Sequence, residues 1–371
     1  MNIGVINESQ KIENRAGLTP SGVSFVVERG HTVYVQAGAG LRAGYSNEDY
    51  ANQGAKVVFT KEEVFGRSDI VLNISPLNEE ESRLVKEEQI LFGFHHLAVA
   101  KKSIVEEFLR KKVTMIGYEI VMDEHDGLPF LESMGEVAGQ LCSNIAGHYL
   151  QTQNGGLGTI LGGVVSVPPA TAFIVGTSVL AKSAAKAMLN AGAHTIVAGL
   201  HMDRMHELEG LLAGKIVTIM ASKYNLARLT RIADVLIGAV LRPGERAPIM
   251  ISRDMVKTMK KGAVIIDLAI DQGGCIETSR PCTLDHPVYT EEGVLHYCVP
   301  NLTASVSRTS TKVLSNHAIY YLTLLGEQGL DKGLKMNEPL CRGLYIYRGG
   351  LVRQNIAERF GLPSQKLEVC G

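Results

Sequence analysis

From its first residue the chain alternates short apolar runs with amphipathic stretches: NIGVI, then PSGVSFVVERG, then HTVYVQAG, with glycine-rich turns between them. Short runs rich in β-branched side chains predict strands, and the longer segments with helical spacing predict the helices between them, so the opening reads as β-α-β. The pattern continues through AKVVF, SDIVLNIS, EQILFGFHH and VTMIGYEIV, separated by charged helical segments such as KKSIVEEFLRKK. This series predicts a largely parallel sheet with crossover helices.

Around Glu132 the texture changes to MGEVAGQLCSNIAGHYLQ, whose small and apolar residues suit a helix buried on much of its surface, here expected to bridge two domains. After the turn-rich GGLGTILGGVVSVPPA a second series begins with TAFIVG, a helix over 180–190 and TIVAGL. It runs on through KIVTIMAS, ADVLIGAVL, GAVIIDLAI and LHYCVPN, the spacing of a second doubly wound unit. From about Thr309 the chain is read as helical, through KVLSNHAIYYLTLLGEQG, and is expected to pack on the first domain. The predicted class is α/β: two Rossmann-like doubly wound domains joined by long helices, with a cleft between them. Residues 1–130 and 307–371 form one domain in this reading, and 131–306 the other.

Length agrees, because 371 residues exceed what one hydrophobic core usually serves. Lys plus Arg total 37 against 38 for Asp plus Glu, which leaves no global field for nucleic acid or an anionic membrane and favours a small-molecule partner. The opening MNIGVINESQ lacks the basic stretch and long apolar core of a signal peptide, and no apolar run is long enough to span a bilayer, so a cytoplasmic location is expected. Cys142, Cys275, Cys282, Cys298, Cys341 and Cys370 show no metal-ligand spacing, and the expectation is reduced thiols and no bound metal.

Several stretches together carry a specific resemblance: ENRAGLTPSGV, FGFHHLA, MGEVAGQL, IGAVLRPGERAPIMIS, GAVIIDLAIDQGGCIETSRP and CVPNLTASVSRTST. End to end, the chain resembles the alanine dehydrogenases and the related transhydrogenase subunit. The resemblance implies a Rossmann domain holding NAD, facing a substrate domain built from both chain termini, in a homo-oligomer (a dimer or hexamer). It implies that Arg15 grips the substrate carboxylate, which suits a planar guanidinium; by itself such an arginine is an ordinary surface charge. It assigns acid–base work to His96, an imidazole suited to proton transfer, and to Asp271 in LAIDQGG, a residue that could equally cap a turn. Neighbouring His95 must point to the other face and is read as a core or pocket residue. Asn301 and Met134 are placed near the substrate by the same resemblance, with Glu119 beside them. Ala239, Val240 and Leu241 fall where the family's cofactor-binding loop follows its strand.

Three departures stand out. The dinucleotide turn reads Gly176-Thr177-Ser178-Val179-Leu180-Ala181, so only the first glycine of the fingerprint remains; Ser178 stands at the second and Ala181 at the third. The following strand ends in Val197-Ala198-Gly199-Leu200, without the acidic residue that bonds the ribose hydroxyls, and Arg204 beyond it leaves open an NADP ribose. Where the family carries a substrate-side lysine, this chain has Asn73-Ile74-Ser75-Pro76, which removes a cation from the reacting carbonyl unless the substrate brings its own. Gly135 replaces a serine near the cofactor.

Three functions are compatible with this pattern. One is an alanine-dehydrogenase-like oxidoreductase acting on a small amino acid, a 2-oxo acid or a derived imine, with NAD or NADP weakly or differently bound. Another is a cofactor-independent homologue that uses His96 and Asp271 for elimination, hydration, cyclisation or isomerisation. The last is a non-catalytic binding protein, for which a cavity blocked around Ser178 and Gly199 would be the sign.

Overall fold

The computed structural model describes residues 1–9, 13–125, 127–240, 242 and 245–367. They fall into two compact units, one made of the described residues of 1–134 and 303–371, the other mainly of 135–242 and 246–302.

In the first unit, β1 (Asn2–Val5), β2 (Thr32–Gln36), β3 (Lys56–Val58), β4 (Ile70–Asn73), β5 (Ile90–Gly93) and β6 (Thr114–Gly117) are parallel and lie in the order β6-β5-β4-β1-β2-β3. Strands β4, β5 and β6 are buried at every position, as a parallel sheet covered on both faces requires. Ile3 of β1 faces Val33 on one side and Ile70 on the other. The helices between strands carry their own start signals. Thr19 caps Pro20–Val27 by accepting from the Gly22 N–H, and Thr60 with Glu63 forms a capping box at Lys61–Arg67. Strand order reverses between β1 and β4, so their carboxyl ends border the crevice where open α/β sheets place ligands.

The helix expected near Glu132 spans Pro129–Tyr149. The second unit contains β7 (Thr171–Val175), β8 (His194–Gly199), β9 (Val217–Met220), β10 (Val235–Gly238), β11 (Val264–Asp267), β12 (Val288–Glu291) and β13 (Val294–Tyr297), in the order β12-β13-β11-β10-β7-β8-β9. All are parallel except β12, which pairs antiparallel with β13. The turn between that pair holds Glu292 and Gly293 at φ 53° and 77°, the backbone of a tight hairpin. The helix read as starting at residue 180 spans Val179–Asn190, and strand order again reverses beside β7, against β10.

The C-terminal helix, expected from Thr309, is Ser307–Gln328, and its Leu314, Ala318, Leu322 and Leu325 join Val23 and Val26 in one core. The purely helical reading of the C-terminal part is corrected: β14 (Leu344–Tyr347) and β15 (Gly350–Leu351) extend the first sheet beyond β6 as antiparallel strands. Arg348 and Gly349, at φ 47° and 82°, make the hairpin turn, and the apolar run LYIY pairs where a free edge would otherwise remain. Cys341 is disulfide-bonded, which departs from the expected reduced thiols, while Cys142, Cys275, Cys282 and Cys298 are free. Cys370 lies outside the described residues. Among the described residues no helix is long and apolar enough to cross a membrane, and no three His, Cys, Asp or Glu side chains gather as metal ligands.

Candidate active site

In the first unit, the loop after β1 and the ends of β4, β5 and β6 bring a set of polar groups together. Glu8 lies beyond β1, and its carboxyl oxygens accept the N–H groups of Ile74 (2.6 Å) and Ser75 (3.1 Å), tying two loops across the switch point. Complete burial, reinforced by the nearby charge of Glu13, pushes the Glu8 carboxyl up to about 8. Glu13 holds Arg15 in a two-pronged pair, Nε to Oε1 at 2.7 Å and Nη2 to Oε2 at 2.6 Å, and its Oε2 accepts Ser75 Oγ at 3.1 Å. Arg15 Nη1 donates to Thr303 Oγ1 (3.0 Å) and lies 3.8 Å from Met134 Sδ. The loop that carries this pair is pinned to the C-terminal helix, where Thr311 and Ser315 accept the N–H groups of Ala16 and Thr19, both at 3.1 Å. That gives the Ser/Thr-rich start of the helix a structural role.

Asn73 and Ser75, at the family's lysine segment, are buried. Asn73 Nδ2 donates to the carbonyls of Ser75 (3.0 Å) and Phe94 (3.3 Å), while its Oδ1 and the Tyr118 hydroxyl are buried with no hydrogen-bond partner among the described residues. Such orphaned groups are uncommon in folded proteins and call for a physical reason.

His96 follows β5 in the left-handed conformation, φ 46°, which costs energy for a residue with a Cβ and is held by its surroundings. Glu119 does the holding: its Oε1 accepts the N–H groups of His95 (3.1 Å) and His96 (2.6 Å). The His96 ring lies nearly parallel to Phe94 with centroids 5.8 Å apart, and the Arg15 guanidinium sits 5.8 Å from the same Phe94 ring. Arg15, His96, Ser75 and Met134 are therefore connected within one unit through Phe94 and Glu13. His95 takes the opposite course: it is buried, its Nε2 meets the Ile116 carbonyl at 3.1 Å, and burial lowers its pKa to about 4, so the imidazole is neutral. The His96 side chain retains 17% exposure, enough to meet a ligand.

The second unit builds a cavity of about 320 Å³ at its own strand ends. It is lined by Gly176, Thr177 and Ser178 after β7, by Gly199, His201 and Arg204 after β8, and by Val240 and Arg242 after β10. The cavity is open at Ser178 and Gly199, where a blocked one would have favoured a non-catalytic role. At Gly176, φ is 123° and an added Cβ would strike the Ala239 carbonyl, so this one glycine of the fingerprint is sterically required. Ser178 caps the helix Val179–Asn190 and donates its Oγ to the Ala239 carbonyl at 2.6 Å. The hydroxyl therefore serves its own turn, and buried Ala181 fits where the third glycine packs helix against strand. At Gly199 an added Cβ would land on the Thr177 methyl and against Met205. The Thr177 methyl thus occupies the space that an acid at position 199 would need. Leu241 lies outside the described residues.

Asp271 sits in the short turn Ile270–Gln272 after β11, and its Oδ1 accepts the N–H of Asn301 at 2.9 Å. Asn301 is left-handed at φ 51°, a conformation asparagine tolerates well, so these two predicted residues are neighbours. The DQGG loop is framed by Asp267, whose buried carboxylate accepts the N–H groups of Ala269 (3.0 Å) and Cys275 (3.0 Å).

Sequence reasoning did not single out Glu8, Glu13, Thr303 or His201. Glu13 carried a usable signal, since a buried arginine needs a carboxylate and one stands two residues away.

The chain thus has two parallel α/β units, one with an arginine and a histidine at its strand ends and the other with a glycine-anchored turn over a cavity. Residues 4–138 match the alanine dehydrogenase/PNT N-terminal domain and residues 142–354 the C-terminal domain. An alanine dehydrogenase of Staphylococcus epidermidis is 39% identical over 369 residues, 99% of each chain, and one of Methanococcus maripaludis is 38% identical over 98% of this chain and 97% of its own. A solved L-alanine dehydrogenase superposes with a TM-score of 0.89 at 36% identity, covering 97% of this chain and 99% of that one. A transhydrogenase from Sinorhizobium meliloti, at 20% identity and a TM-score of 0.77 with 96% and 100% covered, shares the fold. The chain belongs to the alanine dehydrogenase/PNT family.

Proposed function

We propose that the protein interconverts an amino acid and its 2-oxo acid or imine, using a nicotinamide nucleotide as hydride carrier. The observation that carries this reading is the arrangement at Phe94: an arginine and a histidine meet one aromatic ring beside a carboxylate that fixes the histidine backbone. The cavity of the second unit supports it, because Gly176 lets backbone approach where any Cβ would collide. Gly176, Thr177, Ser178, Gly199, Ala239 and Val240 would hold the nucleotide there.

A bound nicotinamide supplies the acceptor for the hydride leaving Cα, or the donor in reverse. The protein's own groups do the rest. Arg15, held by Glu13 through Nε and Nη2 and by Thr303 through Nη1, orients the substrate carboxylate. His96 takes the proton from the water that attacks the imine carbon and returns one to the departing amine. Asp271, whose carboxylate accepts the Asn301 N–H, is the second acid–base candidate, and Met134 lines the substrate position.

Asn73 or Ser75 in place of the family's lysine sets the substrate class. Glu8 is protonated and Glu13 is paired with Arg15, so the surroundings offer the unpartnered Asn73 Oδ1 and Tyr118 hydroxyl to a donor in the lysine's place. A substrate whose side chain carries a second ammonium group supplies the missing charge. Steady-state assays of alanine against diamino acids with both oxidised nicotinamide nucleotides test this: diamino acids should give the higher kcat/KM, and Ser75→Lys should reverse the order. Equal rates in both proteins would refute the substrate class, and no turnover with any amino acid would refute the redox reading. The cofactor-independent reading is favoured by one observation, the Ser178 hydroxyl satisfied by Ala239, and turnover without nucleotide would establish it.

A further inference from the structure

We infer that the cavity of the second unit is built for a nucleotide carrying a ribose 2′-phosphate, NADP(H) and not NAD(H); the inference rests on the nicotinamide reading above. In NAD-binding turns a carboxylate at the end of the second strand accepts the ribose hydroxyls, and the same charge repels a 2′-phosphate. Here β8 ends in Gly199, and the exclusion of an acid is structural: the Thr177 methyl and the Met205 side chain fill the space a Cβ would need. Among the described residues no carboxylate lines the cavity, whereas His201, Arg204 and Arg242 do.

The basic groups stand where the phosphate would be. His201 and Arg204 are exposed, and neither has an ion-pair partner among the described residues. They flank the start of the helix Met202–Leu211, whose cap position, His201, makes no side-chain hydrogen bond to the helix N–H groups. The positive end of the helix dipole favours an anion at the same point. Asp203, in that first turn, is exposed and does not line the cavity. The cavity, the sterically excluded acid and the unpaired Arg204 are three separate features that agree on a dianionic group at the ribose.

Charge-assisted contacts from two such groups correspond to roughly a 30- to 100-fold preference. Isothermal calorimetry on the whole protein with NADP⁺, NAD⁺, 2′-phosphoadenosine and adenosine tests it. The expected results are tighter binding of NADP⁺ and of 2′-phosphoadenosine than of their unphosphorylated counterparts, and loss of at least about tenfold of that advantage in Arg204→Gln. The pair Thr177→Gly with Gly199→Asp, which restores room for the acid, should turn the preference toward NAD⁺. Equal binding of NADP⁺ and NAD⁺, or an advantage untouched by Arg204→Gln, would overturn this inference and leave the nicotinamide reading standing. Binding of neither nucleotide at millimolar concentration would overturn both.

Discussion

The two units treat charge in opposite ways at the carboxyl ends of their strands. Beyond β1 and β4, Arg15 is 3% exposed and answered by Glu13 at both ends of its fork, so the ions are neutralised before any ligand arrives. Beyond β8, Arg204 and His201 stand exposed at an open cavity with no carboxylate among its described lining residues. One set of strand ends is preorganised by internal pairing, and the other, beyond β8, presents exposed basic groups. Similar sheet topologies thus carry an internally paired ion cluster in one unit and exposed basic groups in the other, a difference of charge arrangement and not of fold.

The largest effect expected is on turnover at the paired site. His96→Gln should lower kcat by about 10²- to 10⁴-fold, with circular dichroism unchanged because the Glu119 contact is to the backbone N–H. Retained turnover would remove His96 from the chemistry. Arg15→Met should destabilise the protein by about 3–5 kcal/mol in denaturant melts, since Glu13 is left buried without its cation, and adding Glu13→Gln should recover most of that loss. At the open site Arg204→Gln should change stability by less than about 0.5 kcal/mol. Equal losses at the two arginines would abolish the contrast between the units.

Glu8 sharpens the comparison through pH. Its folded pKa, about 8, lies above the ordinary 4.5, so the native state holds a proton that the unfolded chain has released across that window. Stability from this group is present at low pH and is lost as pH rises toward 8. The histidines whose pKa values are lowered by burial, His95 among them, act in the opposite sense at lower pH, so the test is the difference between wild type and Glu8→Gln. The wild-type curve should fall relative to the variant between about pH 5 and pH 8, and parallel curves would mean that Glu8 is ionised throughout. A smaller effect is expected at Ser178→Ala, which removes a helix cap at a cost of about 1 kcal/mol.

The periodicities carried most of the architecture because parallel strands buried on both faces leave near-continuous apolar runs such as VLIG and VIID. The short hairpin strands were not legible: GL at 350–351 is too brief for a pattern, and LYIY follows a helical segment without a strong breaker. The site divided likewise. Arg15, His96 and Asp271 were named as candidates from motifs. The pairing of Arg15 with Glu13, and of Asp271 with the Asn301 N–H, depends on loop conformations, including left-handed Asn301, that no spacing rule encodes. The coupling of Thr177 to Gly199 was hidden for the same reason, since it is a steric contact between residues 22 positions apart that reads in sequence as two unrelated losses.

Isotope transfer tests the redox reading most directly. The protein is incubated with ammonium, a panel of 2-oxo acids and reduced nicotinamide nucleotide deuterated at the transferable position, and the products are read by mass spectrometry. Deuterium on Cα of the amino acid formed, lost in His96→Gln, is the predicted result. Amino acid formed without deuterium, or none formed from any 2-oxo acid, would contradict it.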